Sequence, residues 1–412
     1  MKKVIVLSLI ALSFSILAQA TPIPGSLINQ SNVAQFADYL DPPVVDLLTK
    51  GQLSVTVGEH FDIAPNPLFL QQTEKNKGTV SIDSKTGQIL NYQDGLPFPE
   101  KPTVSDPLAG LKLAWNMRYA YGGDTSLVDP FIWDYINMKS GKVERTLKFV
   151  GKVIRYKHRL LMQPTPDLPR NPASIFNGIY LQAKEPFDLK NTQLLVHRLE
   201  DDSARERTWL YLSVQRRVRR LPAGQTTDAF LGSDIMIEDF LGYNGRINDM
   251  SWTYLGTENL LAPFYKHNAN TKEIESAQAG EYKFGNFHGQ GNCFPNVPWQ
   301  LRELYVLEAK PKLADHPLSK RLFYVDSQTH IPIAGRYYDR NNKIWRIAIS
   351  GFSHPDDHLE HNKGSGVAIP SLISMIDVEA QHCTTLKMKT RVNHLSVKQK
   401  DFTVQSLRSR GK

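Results

Sequence analysis

From about residue 143 onward the chain is written in short runs of alternating apolar and polar residues separated by turns. Successive side chains of a strand point to opposite faces, so this pattern reads as a series of half-buried β-strands. Leu147, Phe149, Val153 and Tyr156 sit in one candidate hairpin around Gly151. Ile179 to Ala183 reads as the next strand. Leu194 to Leu199 and Thr208 to Arg219 flank the polar turn Asp201-Asp202-Ser203. Leu322 to Asp326, Ile333 to Asp339 and Lys343 to Ile349 form a meander, with Asn341-Asn342 at one bend. Residues 372–388 add a last strand or two. No fixed-period repeat and no linker-like boundary interrupts the run. The expectation is a mainly β (α+β) chain, one domain over residues 21–412, built as one large curved antiparallel sheet with helices packed against it.

The helices are expected ahead of that sheet. Ser31 to Leu40 reads as a short amphipathic helix carrying Val33, Phe36, Ala37 and Leu40 on one face. Asp41-Pro42-Pro43 breaks it, and Val44 to Lys50 adds a turn or two before Gly51. Residues 61–105 read as a covering segment with short strands such as Gly78 to Asp83. Asp106-Pro107 opens the clearest helix. Its carboxylate can accept orphan amides, and proline at the first helical position has no amide to orphan. Leu108, Leu111 and Trp115 follow at helical spacing, and Gly122-Gly123 ends the run. The basic tail with Lys398, Lys400, Arg408, Arg410 and Lys412 reads as surface.

Residues 1–20 set the compartment. Met1-Lys2-Lys3, an apolar run from Val4 to Leu17, and Ala18-Gln19-Ala20 before Thr21 have the form of a secretory signal peptide. The alternative is an uncleaved anchor. The expected location is the periplasm, possible outer-membrane association included. Nucleotide-driven chemistry does not suit that location, and nucleic acid is not an expected partner despite the formal charge of +8. The positive excess suits anionic membrane surfaces or acidic partners instead. In an oxidising compartment Cys293 and Cys383 read as a disulfide pair closing a loop of about 90 residues. The alternative is two buried thiols too far apart to meet.

No catalytic, cofactor or metal set emerges from the motifs. Gly351-Phe352-Ser353-His354-Pro355 begins like a G-x-S-x-G elbow but ends on proline. The stretch His354 to His361 is dense in His, Asp and Glu. It lacks His-Glu-x-x-His and lies among Gly, Asn and Lys, so a polar surface loop is set against a metal site. Walker and Rossmann fingerprints are absent. The strongest local oddity is Arg216-Arg217-Val218-Arg219-Arg220, directly after Trp209-Leu210-Tyr211-Leu212. Four guanidiniums cannot be buried in a sheet covered on both sides, so this strand end must reach water, carboxylates or anionic head groups. Asp228, Asp234, Glu238 and Asp239 are candidate internal partners; a head-group or docking role for Arg216, Arg217, Arg219 and Arg220 is the alternative.

Several blocks together carry a resemblance: Asp94-Gly95-Leu96-Pro97-Phe98-Pro99, Asp106 to Lys112 with Trp115-Asn116, Trp209-Leu210-Tyr211 leading to the arginines, Asp228 to Asp234 with Glu238-Asp239-Phe240, Arg321 to Asp326, and Tyr338-Asp339-Arg340 with Trp345. From about residue 30 to 400 the chain resembles the exported proteobacterial proteins called domain of unknown function family 1329. That family is itself similar to outer-membrane lipoprotein-sorting carriers (LolA/LolB-like). The resemblance implies a strongly curved antiparallel sheet forming an incomplete β-barrel around a few helices, with an apolar cavity and no catalytic set. It implies a carrier or accessory for lipid, lipoprotein acyl chains or another hydrophobic ligand. Its borrowed context includes resistance-nodulation-division-type exporters and outer-membrane proteins as partners. Candidate cavity residues are Trp115, Trp209, Tyr211, Phe323, Val325, Tyr338 and Trp345, each set against ordinary core packing. The alternative functions are a non-catalytic envelope scaffold or adaptor docking through its basic face, and a hydrolase or metalloenzyme using the His354 loop.

Overall fold

The computed structural model describes residues 20–222, 226–271 and 281–411. The signal-peptide reading falls on residues 1–19, outside the described residues. Among the described residues no helix is long and apolar enough to cross a membrane.

The core of the molecule is a sheet of long strands: β1 (Thr125–Asn137), β2 (Lys142–Arg155), β3 (Ile175–Glu185), β4 (Gln193–Leu199), β5 (Arg207–Leu212), β6 (Arg217–Leu221), β7 (Met250–Ala262), β8 (Gln300–Pro311), β9 (Lys320–Asp326), β10 (Pro332–Tyr338), β11 (Ile344–Ser353), β12 (Ile369–Asp377) and β13 (His382–Val392). The spatial order is β6-β5-β4-β3-β2-β1-β13-β12-β11-β10-β9-β8-β7, every pair antiparallel. A two-residue strand, Phe264–Tyr265, adds in parallel to β11. The chain thus makes two meanders, and the first long strand meets the last: Trp133 of β1 lies opposite Leu386 of β13.

β6 and β7 are the two free edges, yet they follow one another in sequence. Laid flat, strands spaced ~4.8 Å apart would put β4 and β9, eight places apart, roughly 38 Å from each other. Both touch the same short piece of the β6–β7 connection. Arg198 of β4 donates to the Gly245 carbonyl at 2.6 Å, and the Tyr243 ring lies 6.1 Å from that of Phe323 of β9. The sheet is therefore curled around residues 226–249, which run through its interior. It is an incomplete antiparallel barrel whose two edges are unpaired among the described residues.

Among the described residues four helices longer than a single turn accompany it: α1 (Pro42–Thr49), α2 (Pro67–Asn76), α3 (Ala109–Tyr119) and α4 (Val404–Arg410). α3 packs on β7 and β8 and reaches β3 through Tyr119 and Phe176, 5.1 Å apart, so it spans the gap between the two arms of the sheet. α4 lies on the outer face of β4 and β5, where Leu407 joins Tyr180, Leu195 and Tyr211. The outer face of β11 to β13 and β1 is covered by residues 28–57. There Ile28, Leu48 and Val55 pack on Ile136, Ile347 and Ile376. The disulfide Cys293–Cys383, S–S 1.98 Å, ties the short hairpin Asn286–His288 and Phe294–Asn296 to β13 within this layer.

Some expectations change. Gly151 is no turn: residues 142–155 are one strand, with Gly151 opposite Val128 and Leu181. A β-carbon there would lie 3.2 Å from the Leu181 side chain, so the glycine answers to crowding within the sheet. Thr208 to Arg219 is a hairpin, not one strand, because Ser213 to Arg216 turns with Arg216 at φ 49°. Pro42 and Pro43 open α1 rather than ending a helix before it, and Ser31 to Leu40 holds only 3-10 turns. The covering segment contains a helix, α2, capped by the Asn66 side chain accepting from the Leu68 amide at 2.9 Å.

Candidate functional site

The inner face of the sheet is apolar over much of its width. Phe131 and Trp133 of β1, Leu147 and Phe149 of β2, Ile179 and Leu181 of β3, Leu194 and Val196 of β4, Tyr337 of β10, Met375 of β12 and Leu386 of β13 form one cluster. Strand alternation produces it: the intervening residues, such as Tyr180 and Leu195, belong to the outer cluster under α4. More strands do not cover this inner surface. Residues 226–249 do, a segment of irregular chain and 3-10 turns. Phe230 sits 5.9 Å from Trp133 and 5.7 Å from Phe240, while Ile235, Met236 and Ile237 are buried beside them.

Polar anchors fix this segment at defined points. Asp234 accepts from Thr384 Oγ1 at 2.7 Å and lies 2.8 Å from His382 Nδ1, both on β13. Arg321 of β9, fully buried, donates to Glu238 at 2.6 Å and contacts Asp239 at 3.3 Å, and His316 approaches Glu238 at 3.1 Å. Burial alone would raise the Glu238 pKa, but Arg321 and His316 hold it down at about 2. Asp239, with less help, is raised by burial. Asp202 joins the far end, accepting from Arg118 of α3 at 2.5 Å and from the amides of Ile247 and Asn248. Charge pairs that are fully desolvated and hydrogen-bonded define a geometry more than they add net stability. Here they hold a covering segment in register on an apolar wall.

A second polar group lies beyond α3. His158 Nε2 is 2.8 Å from Glu200 Oε1, and its other ring nitrogen contacts the Gln93 carbonyl. The Tyr92 and Tyr119 rings lie nearby, tilted by 46° with centroids 4.3 Å apart. Asp94 stands 3.8 Å from His158 with Oδ1 buried and unbonded, and burial pushes its pKa up to about 6. Glu200 is held at about 2: hydrogen bonding and charge from His158 outweigh its burial.

The residues expected to line a cavity are not one set. Trp115, Phe323 and Val325 share the buried cluster under α3. Trp345 borders the inner cluster, with Nε1 donating to Asp377 at 2.8 Å. Trp209 and Tyr211 are on the outer face under α4, because in β5 it is Leu210 that turns inward. Tyr338 is half-buried, with the Lys320 ammonium 4.8 Å from its ring. Sequence alone could not assign the inward face of each strand, and it missed the covering segment. The blocks Asp228 to Asp234 and Glu238-Asp239-Phe240 stood out in the sequence, but nothing local placed them inside the sheet.

Arg216, Arg217, Arg219 and Arg220 are all exposed on and beside the edge strand β6. Their proposed internal partners go elsewhere: Glu238 and Asp239 to Arg321, Asp234 to His382. The histidines of the 354–361 stretch diverge. His358 meets the Tyr282 hydroxyl at 2.7 Å, His361 the Val392 carbonyl at 2.8 Å, and His354 the edge of Phe61. Among the described residues no group of three or more His, Cys, Asp or Glu is placed to hold a metal.

With this geometry established, relatives can be set beside it. An uncharacterised protein of Pseudomonas aeruginosa is 23% identical over 406 residues, covering 94% of this chain and 82% of its own length. A crystal structure of a DUF1329 family protein from Desulfovibrio piger covers 74% of this chain and 100% of its own, with TM-score 0.50 and 17% identity. A domain named for outer membrane lipoprotein sorting, from Vibrio parahaemolyticus, aligns over the same 74% and 100%, with TM-score 0.50 and 15% identity. These structures are alike in fold. The family model for Protein of unknown function (DUF1329) matches residues 27–408, so the chain belongs to that family.

Proposed function

We propose that this protein is a non-catalytic carrier or accessory of the cell envelope, working in the periplasm, that holds an acyl chain or another hydrophobic ligand against the inner face of its open barrel. The observation that carries this reading is the covering of the inner wall. A continuous aromatic and aliphatic surface, from Trp133 and Phe149 to Met375, is closed by irregular chain rather than by sheet. This segment has few ladder hydrogen bonds and is held instead at points, by Asp234 on β13 and by Glu238 and Asp239 on Arg321, so its opening is governed by those anchors. Displacing residues 226–240 would uncover an apolar trough between two unpaired edges. Each methylene laid into it would contribute about 0.8 kcal/mol, so one acyl chain supplies most of the needed affinity. The name of the Vibrio parahaemolyticus domain points to the same class of cargo.

The test combines lipid extraction with quenching. Protein recovered gently from the envelope extract should release a defined amphiphile near one equivalent by mass spectrometry. Brominated fatty acid should quench tryptophan fluorescence, and Trp133→Phe, which keeps the wall apolar, should lose a large part of that quenching. Protein that carries no lipid and shows no saturable quenching would end the carrier reading.

A further inference from the structure

The two most exposed large apolar side chains among the described residues are Phe187, 91% exposed, and Val214, 85% exposed. Phe187 tips the β3–β4 turn and Val214 the β5–β6 turn. Antiparallel order puts both turns at the same end of the sheet, and Thr192 Oγ1 and Ser213 Oγ join them at 3.3 Å. Scattered single hydrophobics need no explanation; two adjacent hairpin tips at one end do.

The charge around them is one-sided. Lys184, Lys190, Arg216, Arg217 and Arg408 are exposed, with no carboxylate among the described residues within ion-pair distance. Of the acids near this end, Glu185 pairs with Lys148 and Asp188 with Arg145, each at 2.9 Å, and the exposed Asp129 bears on Lys184 without an ion pair, so the cations remain in excess. Between the β5–β6 turn and α4 lies a cleft of about 880 Å³, walled by Tyr211, Arg216, Arg217 and Arg408. Arginines on an edge strand also discourage edge-to-edge pairing, which would account for β6. It would not account for Phe187 or for the lysines of the neighbouring turn.

We propose that this end of the barrel is a docking surface for an anionic lipid bilayer: Phe187 and Val214 enter the interface while the arginines and lysines around them engage head-group phosphates. Apolar tips within a ring of cations match the layering of a bilayer, where phosphate lies a few ångströms outside hydrocarbon. An acidic protein partner would use the cations but offers no reason for two unpocketed apolar tips. The inference does not rest on the carrier reading, since an empty protein would dock equally.

Co-sedimentation with vesicles tests it. The probe is phosphatidylcholine alone against an equal mixture of phosphatidylcholine and phosphatidylglycerol. The protein is taken from the envelope extract, so any processing of residues 1–20 has already occurred. The wild type should bind the mixed vesicles far more strongly, and less so as salt rises. Phe187→Ser with Val214→Ser should weaken binding about tenfold. Arg216→Glu with Arg217→Glu should weaken it by roughly fivefold or more per site. All four positions are exposed, so unfolding midpoints should stay unchanged; if the charge reversal disturbs the fold, the serine variant carries the test alone. Equal binding to both vesicle types, or wild-type binding by the well-folded serine variant, would overturn the proposal. Neither result bears on whether lipid co-purifies, so failure here and failure of the carrier reading are separable.

Discussion

Asp94 carries a local imbalance between burial and charge. Burial raises its pKa from the ordinary 3.8 to about 6 in the folded protein, outweighing His158 and Arg155, which favour the ionised form. A carboxyl raised on folding stabilises the fold fully below its unfolded pKa and loses that contribution as pH rises through the folded value. Stability from this residue should therefore fall between about pH 4 and pH 6. Asp94→Asn, neutral at every pH, should match the wild type near pH 4 and exceed it by about 1–2 kcal/mol at pH 8, a figure reduced for solvent screening. Urea unfolding at the two pH values checks this; a constant difference between the proteins would show that Asp94 does not titrate in this window. The sequence displayed Asp94-Gly95-Leu96-Pro97 as a motif but not its surroundings. His158 and Glu200 are remote in sequence, and the fold brings all three together beside Tyr119 of α3.

Packing of α3 depends on one missing side chain. A β-carbon on Gly110 would lie 2.5 Å from the Trp252 carbonyl oxygen and 2.7 Å from the Thr253 nitrogen, both backbone atoms of β7. The helix touches the strand there with nothing to yield. Gly110→Ala gains helix propensity of up to about 1 kcal/mol, yet it must push α3 away from β7, an overpacking cost of about 1–3 kcal/mol. The expected net result is destabilisation, read as a lower thermal midpoint; an unchanged or higher midpoint would show that helix and strand can separate freely. Elements with strong local signals were legible. The helix after Asp106-Pro107 appears as α3, and the meander around Asn341-Asn342 as β9 to β11, with Asn342 at φ 62°. The β5–β6 turn was not, since Val214, Gln215 and Arg216 give no turn signature. Paired positions share a face, so Val218 accompanies Tyr211 outward and Arg219 accompanies Leu210 inward at the open edge.

At the scale of the whole molecule, an antiparallel, largely meandering sheet followed from alternation and turns, but its strand order did not. No local pattern announces that β1 pairs with β13, or that the β6–β7 connection runs inside rather than over the surface. Both are consequences of curling, which places apolar wall and apolar segment together across long sequence separations. The Cys293–Cys383 bridge spans 90 positions of sequence and fastens the outer hairpin to β13. Replacing both cysteines by alanine should cost on the order of 4 kcal/mol, measured by chemical denaturation against the oxidised protein. A loss well under 1 kcal/mol would mean that the surrounding layer already holds the hairpin. The pairing of β1 with β13 also orders events during synthesis. A chain that emerges amino end first has its whole leading arm, β1 to β6, waiting with one flank bare until residues 382–392 arrive. Until then that arm is half of a structure, with the backbone groups on that flank of β1 lacking their partners and open to wrong pairing. The last strand made thus completes the first, and a truncation just short of it would leave β1 as a third open edge.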